Sequence, residues 1–134
     1  MVRSLKISST LSSLRLVENA IDEITTAAGI SLNNYGKILI SVLEAVNNAI
    51  IHGNRSIPEK FVEVKLNYSK GKLKVIVKDQ GKGFIPENIP DPTTPENIEE
   101  ANGRGVFIMS KLADEIKFSK KGNSVTMIFK NVND

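Results

Sequence analysis

Residues 62–83 read V-E-V-K-L-N-Y-S-K-G-K-L-K-V-I-V-K-D-Q-G-K-G. Val62, Val64, Leu66 and Tyr68 alternate with polar residues, and Leu73, Val75 and Val77 do the same. A period of two is the mark of a strand with one buried face, and Ser69-Lys70-Gly71-Lys72 between the two runs is a hairpin turn. The stretch therefore predicts two adjacent antiparallel strands, the second ending at an aspartate followed by two glycines.

Outward from this hairpin the pattern changes period. On the N-terminal side, residues 3–8 suit a short first strand. Over 11–28, Leu14, Val17, Ile21, Ile24 and Ala28 recur at spacings of three and four, with Gly29 as a left-handed stop. A second helix is expected over 33–52, with Leu39, Val42, Leu43, Val46, Ala49 and Ile50 on its core face and Gly53-Asn54 ending it. On the C-terminal side, 84–102 is rich in proline and poor in apolar residues. A helix is expected over 106–113, then a hairpin of 116–119 and 125–130 turned by Lys121-Gly122-Asn123. Helix pair, hairpin, loop, helix and hairpin in that order predict an α+β fold: a two-layer α/β sandwich whose mixed, mostly antiparallel sheet carries helices on one face.

Composition bounds the function without choosing it. The 134 residues, 40% of them hydrophobic, suit one domain over 1–134 that buries roughly two-thirds of its unfolded surface. With no cysteine there is neither a disulfide framework nor a thiolate metal site. The start M-V-R-S-L-K lacks the apolar run of a signal peptide, and nothing approaches the ~18 apolar residues of a membrane span, so a cytoplasmic protein away from the membrane is expected. The net charge of +3 is dispersed and aromatics are few, which gives no footprint for direct nucleic-acid binding.

Three short segments carry chemistry. The first is E-A-V-N-N-A-I-I-H at 44–52. Glu44 and Asn48 stand at i and i+4 and share a helix face, with His52 one further turn along. A helical wheel puts them opposite the main apolar stripe, beside Lys37 and Ser41, with Ile40 and Ile51 at the border. The second is Asp79-Gln80-Gly81-Lys82-Gly83 at a strand end. An ionised carboxylate only accepts hydrogen bonds, so in a cleft it can select an exocyclic amino group such as that of adenine, while glycines let backbone approach a flat ring. The third is Gly103-Arg104-Gly105 ahead of Val106-Phe107-Ile108. A glycine turn opening a helix offers free N–H groups and a dipole that favours phosphate. Each alone has an ordinary structural reading: a solvated helix face, a tight turn, a helix start. Their order and spacing together read as a magnesium-nucleotide pocket.

Taken jointly, the three segments resemble the Bergerat-fold ATPases, the superfamily of gyrase-type topoisomerases, histidine kinases and mismatch-repair ATPases. Glu44-Ala45-Val46-Asn47-Asn48 fits the pattern E-x-x-x-N, Asp79-Gln80-Gly81-Lys82-Gly83 fits D-x-G-x-G, and Gly103-Arg104-Gly105 fits the closing glycine box. By that resemblance Asn48 would hold Mg²⁺, Asp79 would bind the adenine amino group of ATP, and Gly81, Gly83, Gly103 and Gly105 would line the pocket. Glu44 would be the general base, Arg104 would contact a phosphate or face water, and 84–102 would be a lid, expected to be mobile without nucleotide.

Within the superfamily the chain resembles the anti-sigma factor serine/threonine kinases from end to end. His52 is the chain's one histidine and lies inside the first motif, so no separate phosphoacceptor histidine is present, and the length leaves no space for the transducer domain of the gyrase type. The resemblance implies a kinase that phosphorylates an anti-anti-sigma antagonist protein, sequesters a sigma factor and forms a homodimer, expected through the edge of the N-terminal strand. Two alternatives stay open: a non-catalytic ATP-dependent protein-binding module, and a detached ATPase subunit that phosphorylates a histidine on another chain.

Overall fold

The computed structural model describes residues 1–81 and 101–134, with backbone alone at 101–104. Strand β1 (Val2–Ser8) leads through a 3₁₀ turn, Leu11–Ser13, into helices α1 (Leu14–Ala28) and α2 (Leu32–Asn48). A π turn at Ala49–Gly53 extends α2. Strands β2 (Phe61–Ser69) and β3 (Lys72–Lys78), helix α3 (Ala101–Leu112) and strands β4 (Glu115–Phe118) and β5 (Ser124–Phe129) complete the chain.

The five strands form one sheet in the order β1-β2-β3-β5-β4, antiparallel at every pairing, so the parallel element allowed by a mixed sheet is not found among the described residues. The central hairpin has the expected register, with Leu66 opposite Val75 and Tyr68 opposite Leu73. Its loop residues Lys70 and Gly71 both take positive φ, 48° and 81°, which matches the right-handed twist of the flanking strands. Val62, Val64, Leu66, Leu73, Val75 and Val77 point to the same face and are buried there against α1 and α2. The two-layer α/β sandwich results from that one-sided burial, and the opposite face of the sheet carries no helix among the described residues.

Helix α1 buries Val17, Ile21 and Ile24 and stops at Gly29, whose φ of 70° and ψ of 35° are left-handed. Helix α2 starts on Ser31, whose hydroxyl accepts from the Asn34 N–H at 3.4 Å. Four differences from the sequence reading stand out. The stretch 11–13 is a 3₁₀ turn rather than the first turn of α1. Ser41, expected on a polar stripe, is fully buried, because its hydroxyl donates to the Lys37 carbonyl at 2.8 Å and so needs no water. The second helix is α-helical only to Asn48. Helix α3 begins at Ala101, ahead of the glycine pair and inside the range expected for the lid. The rest of that range, and the expectation of lid mobility, fall on 82–100, outside the described residues.

No helix of the described residues is long and apolar enough to cross a membrane. One core group is out of balance: Thr25 Oγ1 is buried with no hydrogen-bond partner among the described residues. Valine has the same shape without the hydroxyl, so Thr25→Val is expected to raise the unfolding free energy by about 1 kcal/mol. A denaturant midpoint that rises at constant slope is the check. A lower midpoint would mean that the hydroxyl has a partner.

Candidate nucleotide site

The C-terminal half of α2 lies under the site because its neighbours are buried: Val42, Ala45, Val46 and Ala49 face the core and leave Glu44 and Asn48 half-buried at the rim, next to α3. An i, i+4 pair in a regular helix has its Cβ atoms roughly 6 Å apart. Beyond Asn48 that register is broken. In the π turn, Asn54 N–H reaches back to the Ala49 carbonyl at 2.8 Å, and the added residue rotates the chain beyond it. His52, expected in line with Glu44 and Asn48, lies inside the π turn, outside the regular α-helical register, and is exposed. Ile40 and Ile51, expected at the border of the polar stripe, are 50% and 36% exposed.

The turn also delivers Gly53 to Asp79. A Cβ on Gly53 would stand 2.3 Å from the Asp79 carboxyl carbon, and one on Gly81 would stand 2.1 Å from the Gly53 carbonyl oxygen. No side chain fits at either position, so the end of the α2 segment and the segment after β3 are in direct backbone contact around one carboxylate. Asp79 itself is positioned at two points. Its N–H donates to the Asn123 carbonyl at 2.9 Å, in the turn between β4 and β5. Its Oδ1 accepts the Gly81 N–H at 2.8 Å, and Oδ2 forms no hydrogen bond among the described residues. Burial raises the Asp79 carboxyl above the ordinary aspartate value, opposed by the Gly81 N–H and by the charge of Lys60.

On the other side of the turn, a Cβ on Gly105 would stand 2.4 Å from Asn48 Nδ2. That contact places α3 against α2 at the level of the Glu44 and Asn48 pair. Gly103 and Arg104 lie in the first turn of α3, whose first four N–H groups have no carbonyl partner within the helix. The Arg104 side chain, and Gly83 with Lys82, lie outside the described residues. The structure thus gathers Glu44, Asn48 and Gly105 in one group and Asp79, Gly81 and Gly53 in a second, separated by the single π turn.

In sequence Gly53-Asn54 signals only a helix stop, but in the fold Asn54 supports the site. Asn54 is fully buried and its amide is used in full. Nδ2 donates to Ser9 Oγ at 2.8 Å and to the Phe61 carbonyl at 2.9 Å, while Oδ1 accepts the Gln80 N–H at 2.7 Å. Gln80 Oε1 in turn accepts the Phe61 N–H at 2.5 Å. A buried Asn with three partners from three segments fixes the residue next to Asp79, and nothing local in sequence announces it. Asn54→Ala strands the Phe61 carbonyl and the Gln80 N–H, and is expected to cost about 2 kcal/mol of stability. Equilibrium denaturation checks this, and a loss within error of zero would mean that water replaces the amide.

The residues present fit a nucleotide with a hard cation. A half-buried carboxylate with an oxygen to spare faces two glycines, an amide oxygen and a second carboxylate stand one helical turn apart, and a helix N-terminus adjoins them. Mg²⁺ takes one or two protein oxygens and keeps waters and phosphates for the rest, and the Asn48 amide and the Glu44 carboxylate offer oxygens of that kind.

Known proteins resemble this chain in sequence and in fold. The chain matches the histidine kinase-like ATPase domain family over residues 7–129. It is 37% identical over 91 residues to the anti-sigma F factor of Heyndrickxia coagulans, a match covering 65% of this chain and 61% of that protein. With the anti-sigma F factor of Halalkalibacterium halodurans it shares 30% over 102 residues, covering 74% and 69%. With the serine-protein kinase RsbW of Staphylococcus epidermidis it shares 26% over 121 residues, covering 84% and 76%. The fold superposes with a TM-score of 0.71 on a crystal structure of the RsbU and RsbW domains of a Mycobacterium tuberculosis protein, covering 97% of this chain and 32% of that one at 16% identity. The chain belongs to the histidine kinase-like ATPase domain family, where its relatives include anti-sigma factors and a serine-protein kinase.

Proposed function

We propose that this chain is an ATP- and Mg²⁺-dependent serine/threonine protein kinase of the anti-sigma factor type, which phosphorylates an anti-anti-sigma antagonist protein and sequesters a sigma factor. The observation that carries the proposal is the pairing of the Asp79 carboxylate, held against Gly53 and Gly81, with the Glu44 and Asn48 pair held against Gly105 on the far side of one helical turn. A module that only bound nucleotide would need the first group and not a carboxylate in the second.

Each residue has a task that its chemistry suits. Asp79 Oδ2 accepts a hydrogen bond from the amino group of the base, while Oδ1 stays committed to Gly81. Gly81 and Gly53 keep the wall of the pocket flat. The backbone of Gly103 and Arg104, in the first turn of α3, faces phosphate with free N–H groups and the positive end of the helix dipole. Asn48 offers an amide oxygen to the cation. When bound, Mg-ATP supplies the transferable phosphoryl group and the neutralising charge. Glu44 takes the proton from the attacking serine hydroxyl, the task of a carboxylate placed one turn from the metal ligand. The protein works in the cytoplasm as a homodimer through β1, which lies at an edge of the sheet and leaves one side of its backbone unpaired.

The test captures partners from source-cell lysate on this protein, adds labelled Mg-ATP and treats the products with acid. Acid-stable label on a small partner is the expected result. Label that acid removes would assign the chain instead to phosphorylation of a histidine. Bound nucleotide with no label on any partner would leave a nucleotide-dependent binding module.

A further inference from the structure

The uncovered face of the sheet is a lysine field. Lys6 on β1, Lys65 on β2, Lys72, Lys74 and Lys78 on β3 and Lys117 on β4 all stand on it and are all exposed. Of the acids on the same face, Glu115 is held by Lys130 at 3.1 Å, which leaves Glu63. Among the described residues, these six lysines against two glutamates outweigh the +3 of the whole chain, so compensating acid is elsewhere on the molecule. Glu18, Asp22 and Glu23 sit on α1, in the opposite layer.

The strand register makes this more than a scatter of charges. Lys65 has Ser4 and Ile76 directly opposite it, and Lys6, Lys74 and Lys78 one diagonal step away. Diagonal neighbours on a sheet are roughly 7–8 Å apart, within reach of mutual repulsion. Among the described residues, none of Lys65, Lys72, Lys74, Lys78 and Lys117 forms an ion pair. Around Lys65 the surface sinks into a shallow depression of about 390 Å³, lined by Ser4, Lys6, Glu63, Ile76 and Lys78. Cations that repel one another in the free protein gain most when a ligand brings carboxylates among them.

We propose that this face docks an acidic segment of a partner protein, an aliphatic side chain seating beside Ile76 and flanking carboxylates meeting Lys65, Lys74 and Lys78. A protein ligand is favoured over nucleic acid by what else the face holds. Among the described residues it has no arginine, and its exposed aromatic ring, Phe61, lies at the margin with the Lys6 ammonium 4.7 Å from its centre, so these residues offer no platform for stacked bases. A second copy presenting the same face would set lysine against lysine. The proposal is independent of the kinase reading, since the face lies on the side of the sheet away from α2.

The test titrates the full chain with a fluorescent peptide of Glu-Leu-Glu repeats, alongside a single-stranded oligonucleotide of equal charge, at low and high salt. Saturable peptide binding is expected, with amide-signal shifts at Lys65, Lys74, Ile76 and Lys78, and an affinity that falls at least about tenfold in the double variant K65E/K74E. Nucleotide affinity should be the same in both proteins, which shows that the variant is folded. The proposal is overturned by an absence of saturable peptide binding, by equal affinity in the double variant, or by tighter binding of the oligonucleotide.

Discussion

Glu44→Gln will slow phosphate transfer to the partner serine by roughly 10²–10⁴-fold, the usual worth of a positioned general base. Glutamine keeps the size and helix preference of glutamate but has no basic oxygen. No helix cap or described ion pair depends on the charge of Glu44, and the fold around it is set by Val42, Ala45, Val46 and Ala49. Nucleotide affinity should therefore move by less than about threefold, so that the loss appears in turnover rather than in binding. Initial rates of acid-stable labelling, set beside calorimetric nucleotide binding, separate the two. Undiminished transfer would remove Glu44 from the catalytic role, and a parallel fall in affinity would make it a binding group.

Asp79→Asn should abolish nucleotide recognition while sparing the fold. The geometry decides which way the amide turns. The Gly81 N–H already points at Oδ1, so the asparagine carbonyl takes that place and its NH₂ group faces the base, donor against donor. A site that presents the wrong hydrogen-bonding partner rejects its ligand strongly, and a loss on the order of 10³-fold in affinity is expected. Stability should move the other way. Burial raises the folded-state pKa of Asp79, so the folded chain holds that proton more tightly than the unfolded one. The contribution of Asp79 is then most favourable at pH below its unfolded value and is lost as pH rises through the folded value. At neutral pH the ionised carboxylate works against folding and the variant is the more stable protein, an advantage that fades as the solution is acidified. Denaturation of both proteins across pH checks the sign. A variant less stable at pH 7 would show that the charge interaction with Lys60 outweighs burial.

These two residues were legible in the sequence because their chemistry is local. Asp79 sits where a period-two run meets glycines, and Glu44 and Asn48 sit one turn apart in a period-3.6 run. The sheet was legible for the same reason: each strand alternates, and each hairpin carries its glycine. What escaped was set by contacts between distant segments. Ser41 counts as polar on a helical wheel, yet its hydroxyl is satisfied inside its own helix and can be buried. The π turn has no residue that announces it. Glycines read as helix breakers and so set the expected start of α3 too late, whereas Gly105 is in the helix for its closeness to Asn48, which only the packing of α2 on α3 reveals. Gly53 and Asn54 look like a stop signal, and their partners are Asp79 on one side and Ser9, Phe61 and Gln80 on the other.

The amide of Asn54 also bears on how the protein comes apart. It joins the ends of β1, β2 and β3 at one buried point, across chain separations of up to 45 residues. Displacing Asn54 releases Ser9, Phe61 and Gln80 together, so opening at this point involves all three segments. The segment after β3 that carries Asp79 and Gln80 and the attachment of the N-terminal strand thus belong to one cooperative unit. A ligand that tightens around Asp79 is expected to slow amide exchange at Ser9, at the end of β1 that this amide holds.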